Sequence, residues 1–202
     1  GASPTFVLAS ATTAEPQVSA ARLIGDEPDE VVAVDDDVSP AGRRTVVLWR
    51  PPELPGGDAP WSDLLPDEDP WGPVEKPRRT ATAEVADLLT DLVVAGARTL
   101  AFTRSRRGAE SVATTTRAHL GEVDHRLEGL VSAYRGGYLP EERRELERAI
   151  RTGELRALAT TNALELGVDI TGLDAVLVAG WPGTRVSFWQ QVGRAGRGGT
   201  EG

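Results

Sequence analysis

Residues 155–180 carry the sequence LRALATTNALELGVDITGLDAVLVAG, in which two apolar runs flank a segment with hydroxyl, glycine and carboxylate residues. The runs 155–160 and 174–180 have the length and composition of buried strands. Around them, apolar runs alternate with amphipathic patterns, which predict strands at 98–103 and 129–134 and helices at 81–95, 108–120, 140–152 and 186–194. Because parallel strands are joined by crossing helices, this alternation predicts an α/β fold, a parallel sheet with helices on both faces.

The first 80 residues are less regular. A helix is predicted at 15–24 between apolar runs at 6–9 and 31–34, which we interpret as short strands, and a further strand is predicted at 44–49. Residues 51–77 contain eight prolines and many acidic residues, a composition that predicts a surface insertion and not a packed element. The insertion's two tryptophans are interpreted as anchors that fold it back onto the body, with a stacking platform for a base as the alternative.

The composition excludes several kinds of site. The chain contains no cysteine, so it has no disulfide, thiolate zinc site or cysteine nucleophile, and two histidines are too few for a histidine metal cluster. No apolar run approaches the roughly 20 residues of a membrane span, so we expect no membrane partner. The expected localisation is the cytoplasm of a bacterium, in association with the nucleoid. Because the sequence begins with Gly1 and contains no methionine, we expect a processed or excised chain.

The net charge of -9 is unevenly distributed. Residues 1–80 hold 15 acidic and 7 basic residues, whereas residues 81–202 hold 16 acidic and 15 basic ones. Within the second part, residues 97–118 contain five arginines and a single acid, Glu110. The acidic total therefore does not exclude a nucleic-acid partner for the second part of the chain.

Polar and basic residues follow the predicted strands. Those suited to bind a ligand are Thr103, Arg104, Arg135, Thr160 and Thr161. The carboxyl ends of parallel strands meet at one edge of the sheet, where ligands of such folds bind. Hydroxyl, guanidinium and backbone amide groups at this edge suit a phosphate backbone. For the arginine run 104–107, a solvated helix entry is the alternative.

Two stretches carry a more specific pattern. Residues 190–197 read QQVGRAGR, which matches Q-x-x-G-R-x-G-R, and residues 159–170 read ATTNALELGVDI, a strand followed by a hydroxyl pair and G-x-D. Together with Ser10-Ala11-Thr12 and residues 99–105, they resemble the third to sixth motifs of superfamily 2 helicases, in the order and spacing of that family. The sequence YRGGYLPEERR at 134–144 is most similar to the YprA/Hrq branch of RecQ-related DNA helicases.

The resemblance implies a division of the chain. Residues 1–38 correspond to the trailing strand, helix and strand of the first RecA-like lobe. Residues 39–202 correspond to the second RecA-like lobe, with the insertion 51–77, and end just after the sixth motif. The implied activity is that of an ATP-dependent DNA helicase with 3′-to-5′ polarity.

The same resemblance implies roles for individual residues. Arg194 and Arg197 face the γ-phosphate, with Arg197 as the arginine finger, because phosphoryl transfer needs positive charge where the γ-phosphate loses its bond. Nucleotide contact or its coupling to lobe movement is implied for Gln190, Gly193, Gly167, Asp169, Ser10 and Thr12. A track for single-stranded DNA, extending to duplex junctions, is implied for Thr103, Arg104, Thr160, Thr161 and Arg135.

One part of an ATP site is absent from the sequence. No G-x-x-x-x-G-K-[ST] pattern occurs in the 202 residues, and no D-E-x-H follows an apolar strand. We therefore expect the phosphate cradle and the Mg²⁺ ligands in the missing first lobe, which is an expected partner. ATP and Mg²⁺ are the expected cofactors of the intact enzyme, whereas the chain alone is expected to bind neither and to be inactive.

These sequence patterns are also compatible with other functions. The motifs do not discriminate a DNA helicase from an RNA helicase or from a translocase that moves on duplex. A non-catalytic interaction module that kept a helicase-like fold is the alternative from another class. Phe188 and Trp189 are interpreted as core or interlobe packing, with base stacking as the alternative.

Overall fold

The computed structural model describes residues 4–10, 13–36, 43–54, 77–165, 170 and 172–196. Contacts divide the chain into two compact units, Gly1–Pro40 and Ala41–Gly202. Several residues named above lie outside the described residues: Ala11, Thr12, Gly167, Asp169, Arg197 and most of the insertion 51–77, including Trp61 and Trp71.

The described part of the first unit contains helix α1 (Pro16–Ile24) and a 3₁₀ turn (Pro28–Glu30). The predicted helix is confirmed: a proline opens it, and Gly25 ends it in the left-handed conformation with φ +80°. The strands predicted at 6–9 and 31–34 are wrong, since neither run has strand structure here. An extended segment becomes a strand only when a neighbour pairs with its backbone, and here Val7, Val32 and Val34 are each about nine-tenths exposed.

Four short strands form the sheet of the second unit. They are β1 (Thr99–Phe102), β2 (Val131–Tyr134), β3 (Ala157–Thr160) and β4 (Ala175–Val178). Their order is β2-β3-β1-β4 and every pairing is parallel. The last residues of the strands are in register, because Phe102 pairs with both Thr160 and Val178. The predicted parallel sheet is confirmed, and its carboxyl ends form one level edge.

Helices cover both faces of this sheet. They are α2 (Ala81–Val94), α3 (Arg106–Val123), α4 (Pro140–Thr152) and α5 (Arg185–Val192). On the face that packs against α2 and α3, the sheet contributes mostly alanines, Ala101, Ala133, Ala157 and Ala159, together with Val131 and the partly buried Leu177. On the face that packs against α4, it contributes large side chains: Leu100, Phe102, Tyr134 and Leu158. None of the helices in the described ranges is long and apolar enough to cross a bilayer.

The strand predicted at 44–49 is wrong. This segment has no regular structure, and Val47 and Leu48 are 70% and 92% exposed. Its apolar pattern is that of a strand, but no strand in the described ranges pairs with it. The segment is attached at both ends. Arg44 Nε donates to the Ala195 main-chain oxygen at 2.9 Å, and the Trp49 indole nitrogen donates to the Glu84 carboxylate at 2.9 Å. Beyond it, residues 53 and 78 form an isolated antiparallel bridge.

Tyr134 makes the stability of the second unit sensitive to high pH. Its side chain is buried, and its hydroxyl donates to Glu147 at 2.7 Å. Burial, followed by the Glu147 hydrogen bond, raises the pKa of Tyr134 from 10 to about 12. Because the folded state holds this proton more tightly than the unfolded state, the stabilisation is complete below pH 10 and is lost as the pH rises through about 12.

We therefore expect the free energy of unfolding to fall by up to about 3 kcal/mol over this interval. Tyr134→Phe keeps the buried ring and removes the titrating group, so the variant should lose much less stability over the same range. Urea midpoints of both proteins at pH 9, 10 and 11 measure the difference. Equal pH dependence in the two proteins would contradict the assignment to Tyr134.

Candidate nucleic-acid and nucleotide interface

A cleft of about 170 Å³ opens at the carboxyl edge of the sheet. The loops after three strands and one face of α5 form its walls. The lining residues are Phe102, Thr103, Arg104, Thr161, Asn162, Val178, Ala179, Gly180, Pro182, Ser187 and Gln191. The structure thus brings together three residues of the predicted phosphate track, Thr103, Arg104 and Thr161.

Thr103 and Arg104 differ in what they offer to a ligand. Thr103 is 7% exposed, and its hydroxyl lies 3.0 Å from the Ser105 carbonyl oxygen and 3.2 Å from that of Thr160, so its proton is donated within the lobe. Arg104 is exposed on the wall of the cleft. The next residue, Ser105, caps α3 by accepting a hydrogen bond from Gly108 N at 3.0 Å. Arg104 is therefore the cationic group that this loop presents to the cleft.

The two neighbouring threonines at the end of β3 also differ in their accessibility to a ligand. Thr160 is the last residue of the strand and is fully buried, so its side chain does not line the cleft. Thr161 follows the strand, is partly exposed and lines the cleft, as does the exposed Asn162. The reason is the two-residue period of a strand, which turns adjacent side chains to opposite sides. Of the hydroxyl pair, Thr161 is the residue within reach of a ligand.

Arg135 follows β2 at the same edge but does not line the cleft. Its Nε lies 2.8 Å from Glu110 Oε1 in an ion pair. Its guanidinium carbon lies 4.8 Å from the centre of the Tyr138 ring, a cation–π distance. The side chain of Arg135 is 42% exposed, so it stays accessible while paired with Glu110.

Helix α5 and the residues just after it carry buried polar side chains, several of which bond to the loop after β3. Gln190 and Gln191 on α5 and Arg194 after it are 7%, 4% and 3% exposed. Ser187 Oγ donates to Glu165 Oε1 at 2.8 Å, and Gln191 Nε2 donates to Glu165 Oε2 at 3.1 Å. Arg194 Nη2 donates to the main-chain oxygen of Glu165 at 2.6 Å. The end of β3 and the Q-x-x-G-R segment therefore form one buried hydrogen-bonded network.

The loop after α5 is held through its backbone. Gly193 N donates to Trp189 O at 2.9 Å, and a Cβ at Gly193 would lie 2.7 Å from that oxygen, so only glycine fits without a backbone shift. Ala195 forms a parallel bridge with Leu173, just before β4. Gly196 N donates to Leu173 O at 3.3 Å, and its φ of +68° is left-handed. This fixed backbone leads directly into Arg197.

Three aromatic side chains cluster beside the cleft. The Trp181 and Phe188 rings stack with centroids 5.6 Å apart, and Phe188 meets Trp189 edge to face at 5.3 Å. Trp181 and Trp189 are 54% and 58% exposed. Trp189 is therefore not a core residue, and Phe188 is only partly buried, which corrects the core part of the prediction. The buried residues of α5 are Gln190 and Gln191, which leaves Trp189 at the surface.

Ser10 belongs to the first unit and is exposed. Its Oγ accepts a hydrogen bond from Thr13 Oγ1 at 2.7 Å. Thr12, its predicted companion, lies outside the described residues. The structure thus gives Ser10 a local hydrogen bond, and its coupling role stays a prediction.

Glu165, Ser187 and Asn162 are site residues that were not predicted from the sequence. The available signal for Glu165 was a single carboxylate in the apolar run ALELGV, since a charge in a buried segment needs partners. Ser187 and Gln191 are four residues apart and so share one face of α5. The sequence shows that these two side chains share a face, but it does not show that their common partner is Glu165, 26 residues before Gln191.

Comparison with known proteins identifies relatives of this chain. Residues 83–199 match the family described as Helicase conserved C-terminal domain. The Bacillus subtilis protein named uncharacterized ATP-dependent helicase YprA is 39% identical over 202 residues, which cover 98% of this chain and 23% of that protein. The ATP-dependent helicase HRQ1 of Saccharomyces cerevisiae is 37% identical over 193 residues, 95% of this chain and 16% of that protein.

A solved structure is similar over the whole chain. It is the DUF1998 helicase MrfA bound to DNA and AMPPNP, with a TM-score of 0.80 and 37% sequence identity. The match covers 100% of this chain and 25% of that one. The chain therefore spans about a quarter or less of the length of these relatives.

Proposed function

The chain belongs to the helicase conserved C-terminal domain family, the second RecA-like lobe of superfamily 2 helicases, and we propose that it serves an ATP-dependent DNA helicase of 3′-to-5′ polarity. In this proposal the lobe provides part of a track for single-stranded DNA and the arginine side of an interlobe ATP site. Residues 1–38 are the trailing part of the first lobe. The missing first lobe holds the phosphate cradle and the Mg²⁺ ligands.

The observation that carries the proposal is the cleft at the carboxyl edge of the sheet. Arg104 offers a positive charge there, and Thr161 and Asn162 offer side-chain donors. Gly180, with φ +81°, lets the loop after β4 pass close to the cleft without a side chain. These groups suit a phosphate backbone and read no base, which fits a motor that moves along any sequence.

The choice of DNA as the polymer is supported by the similar helicase MrfA, whose solved structure contains bound DNA. Arg135 extends the track toward the β2 end of the sheet. Its pairing with Glu110 means that a DNA phosphate must compete with a carboxylate for the same guanidinium group. Its contribution to DNA affinity should therefore be smaller than that of Arg104.

The residues after α5 fit one side of an ATP site. ATP, when bound, supplies the γ-phosphoryl group whose transfer to water drives the lobes. Arg194 is buried and bonded to the Glu165 carbonyl, so its guanidinium is fixed in place within the lobe. Arg197 follows a backbone held at Leu173, which makes it the arginine that we propose as the finger. Gln190, buried on α5, orders this segment.

The test of the DNA track is the salt dependence of binding. Arg104→Gln in the complete protein should weaken binding to single-stranded DNA and reduce the slope of log K against log salt by about 0.7, the value for one phosphate contact. Arg126→Gln is the matched control: it removes the same charge from an exposed turn that leads into the opposite end of β2. Equal salt slopes for wild type and Arg104→Gln would contradict the track.

Strand-displacement assays decide the remaining alternatives. Unwinding of DNA duplexes with a 3′ overhang, and not of RNA duplexes, is the expected result. Preference for RNA would point to an RNA helicase, and movement along duplex without strand separation would point to a translocase. DNA binding without ATP hydrolysis by the complete protein would favour an interaction module.

A further inference from the structure

Glu165 is a buried carboxylate that lies between the two segments of the proposed site. It follows the 3₁₀ turn Asn162–Leu164 at the end of β3 and is 7% exposed. Each carboxylate oxygen accepts a hydrogen bond from α5, one from Ser187 and one from Gln191. A carboxylate is costly to bury, and this one is accommodated because both oxygens have donors.

The main chain of the same residue binds the segment after α5. The Glu165 carbonyl oxygen accepts from Arg194 Nη2 at 2.6 Å, a short charge-assisted hydrogen bond. Side chain and main chain of Glu165 therefore hold successive turns of one segment, from Ser187 to Arg194. That segment continues without a break into Gly196 and Arg197.

The loop that contains Glu165 also faces the cleft. Thr161 and Asn162 lie three to four residues before it and line the cleft wall. Displacement of this loop by a bound phosphate backbone would therefore be transmitted through Glu165 to α5. Packed, hydrogen-bonded segments with few alternative arrangements are the kind of element that couples two sites.

We infer that Glu165 is a positioning residue that makes the cleft wall and the segment from Ser187 to Arg194 move as one body. DNA bound in the cleft would then control the position of Arg194, and of Arg197 after it, at the ATP site. This inference rests on the proposed function and adds to it a residue and a route of coupling. Glu165 itself touches neither DNA nor ATP in this arrangement. Its effect is expected in the stimulation of ATP hydrolysis by DNA.

The test exchanges the acceptor and the donor of one hydrogen bond in the complete protein. Gln191→Glu places a second carboxylate about 3 Å from Glu165, where two negative charges repel. The ratio of ATP hydrolysis rates at saturating single-stranded DNA and without DNA should fall about tenfold. In the double variant Glu165→Gln/Gln191→Glu, the new amide donates to the new carboxylate and still accepts from Ser187. The ratio should return to within about threefold of wild type.

The double variant also separates coupling from direct charge effects. It retains the acid at position 191, so repulsion of DNA by that acid would leave the double variant as impaired as Gln191→Glu. A merely structural role would lower the thermal midpoint and both rates in proportion, without changing their ratio. An unchanged ratio in Gln191→Glu, or a double variant that does not recover, overturns the inference.

If Gln191→Glu does not fold, Ser187→Ala decides the question. This variant removes one donor to Glu165 and no charge, and the ratio should fall about two- to fivefold. A wild-type ratio in a folded Ser187→Ala protein overturns the inference. Failure of the proposed function is distinguishable, because the wild-type protein itself would then show no stimulation by DNA.

Discussion

Replacement of Arg197 by alanine in the complete protein should lower DNA-stimulated ATP hydrolysis by about 10³- to 10⁵-fold, the contribution of an arginine finger. The guanidinium group is proposed to stabilise charge that develops as the γ-phosphoryl group leaves. That effect depends on placement, and the preceding backbone is fixed by the bond from Gly196 N to Leu173 O. Steady-state rates at saturating ATP and DNA measure the loss.

Binding of single-stranded DNA by Arg197→Ala should stay close to that of wild type, because the cleft lies at other residues. Arg151→Ala is the matched control, since Arg151 is an exposed arginine near the end of α4. Arg197→Lys should recover only a small part of the activity, because an ammonium group does not reproduce the bidentate guanidinium fork. Wild-type turnover by Arg197→Ala would refute the assignment of the finger.

The 202-residue chain by itself should hydrolyse ATP at least about 10³-fold more slowly than the complete protein, since its arginines have no phosphate cradle to act with. The sequence supports this expectation directly. It has no P-loop pattern, and its single lysine, Lys76, lies in the proline-rich stretch 51–77. A malachite-green phosphate assay with and without single-stranded DNA is sufficient to test it.

The control for that assay is the same chain with Arg197→Ala, which reports contaminating hydrolases. Equal rates in the two chains are expected. Hydrolysis within about tenfold of the complete protein would mean that an ATP site is complete inside these 202 residues, contrary to the two-lobed proposal. Circular dichroism of the chain establishes that the fold is present when the rate is measured.

Elements with local signals were predictable from the sequence. Helix α4 has the predicted bounds because a proline opens it and Gly153 ends it with φ +83°. The four sheet strands were also found, although each is shorter than its apolar run. The segment 44–49 has the same local pattern and is not a strand, because pairing is a property of the neighbours and not of the segment.

The location of the candidate site was predictable from the sequence, but the individual residues that form it were predicted only in part. The rule that ligands meet the carboxyl edge of a parallel sheet located the cleft. It did not distinguish Thr160 from Thr161, because a shift of one residue at a strand end exchanges a buried side chain for an accessible one. Glu165 was missed because its partners are distant in the sequence, and a buried carboxylate is recognisable only once they are in place.

The alanine face of the sheet has a consequence for which mutations the lobe tolerates. Against α2 and α3 the sheet presents mostly side chains of a single methyl group, such as Ala101 and Ala159, which let the helix backbones approach closely. The opposite face is filled by rings and branched chains, such as Phe102 and Leu158. On the first face added volume has nowhere to go, whereas on the second lost volume leaves a cavity. On this four-stranded sheet, substitutions that enlarge a side chain are therefore the harmful ones on the face toward α2 and α3. Substitutions that shrink a side chain are the harmful ones on the opposite face.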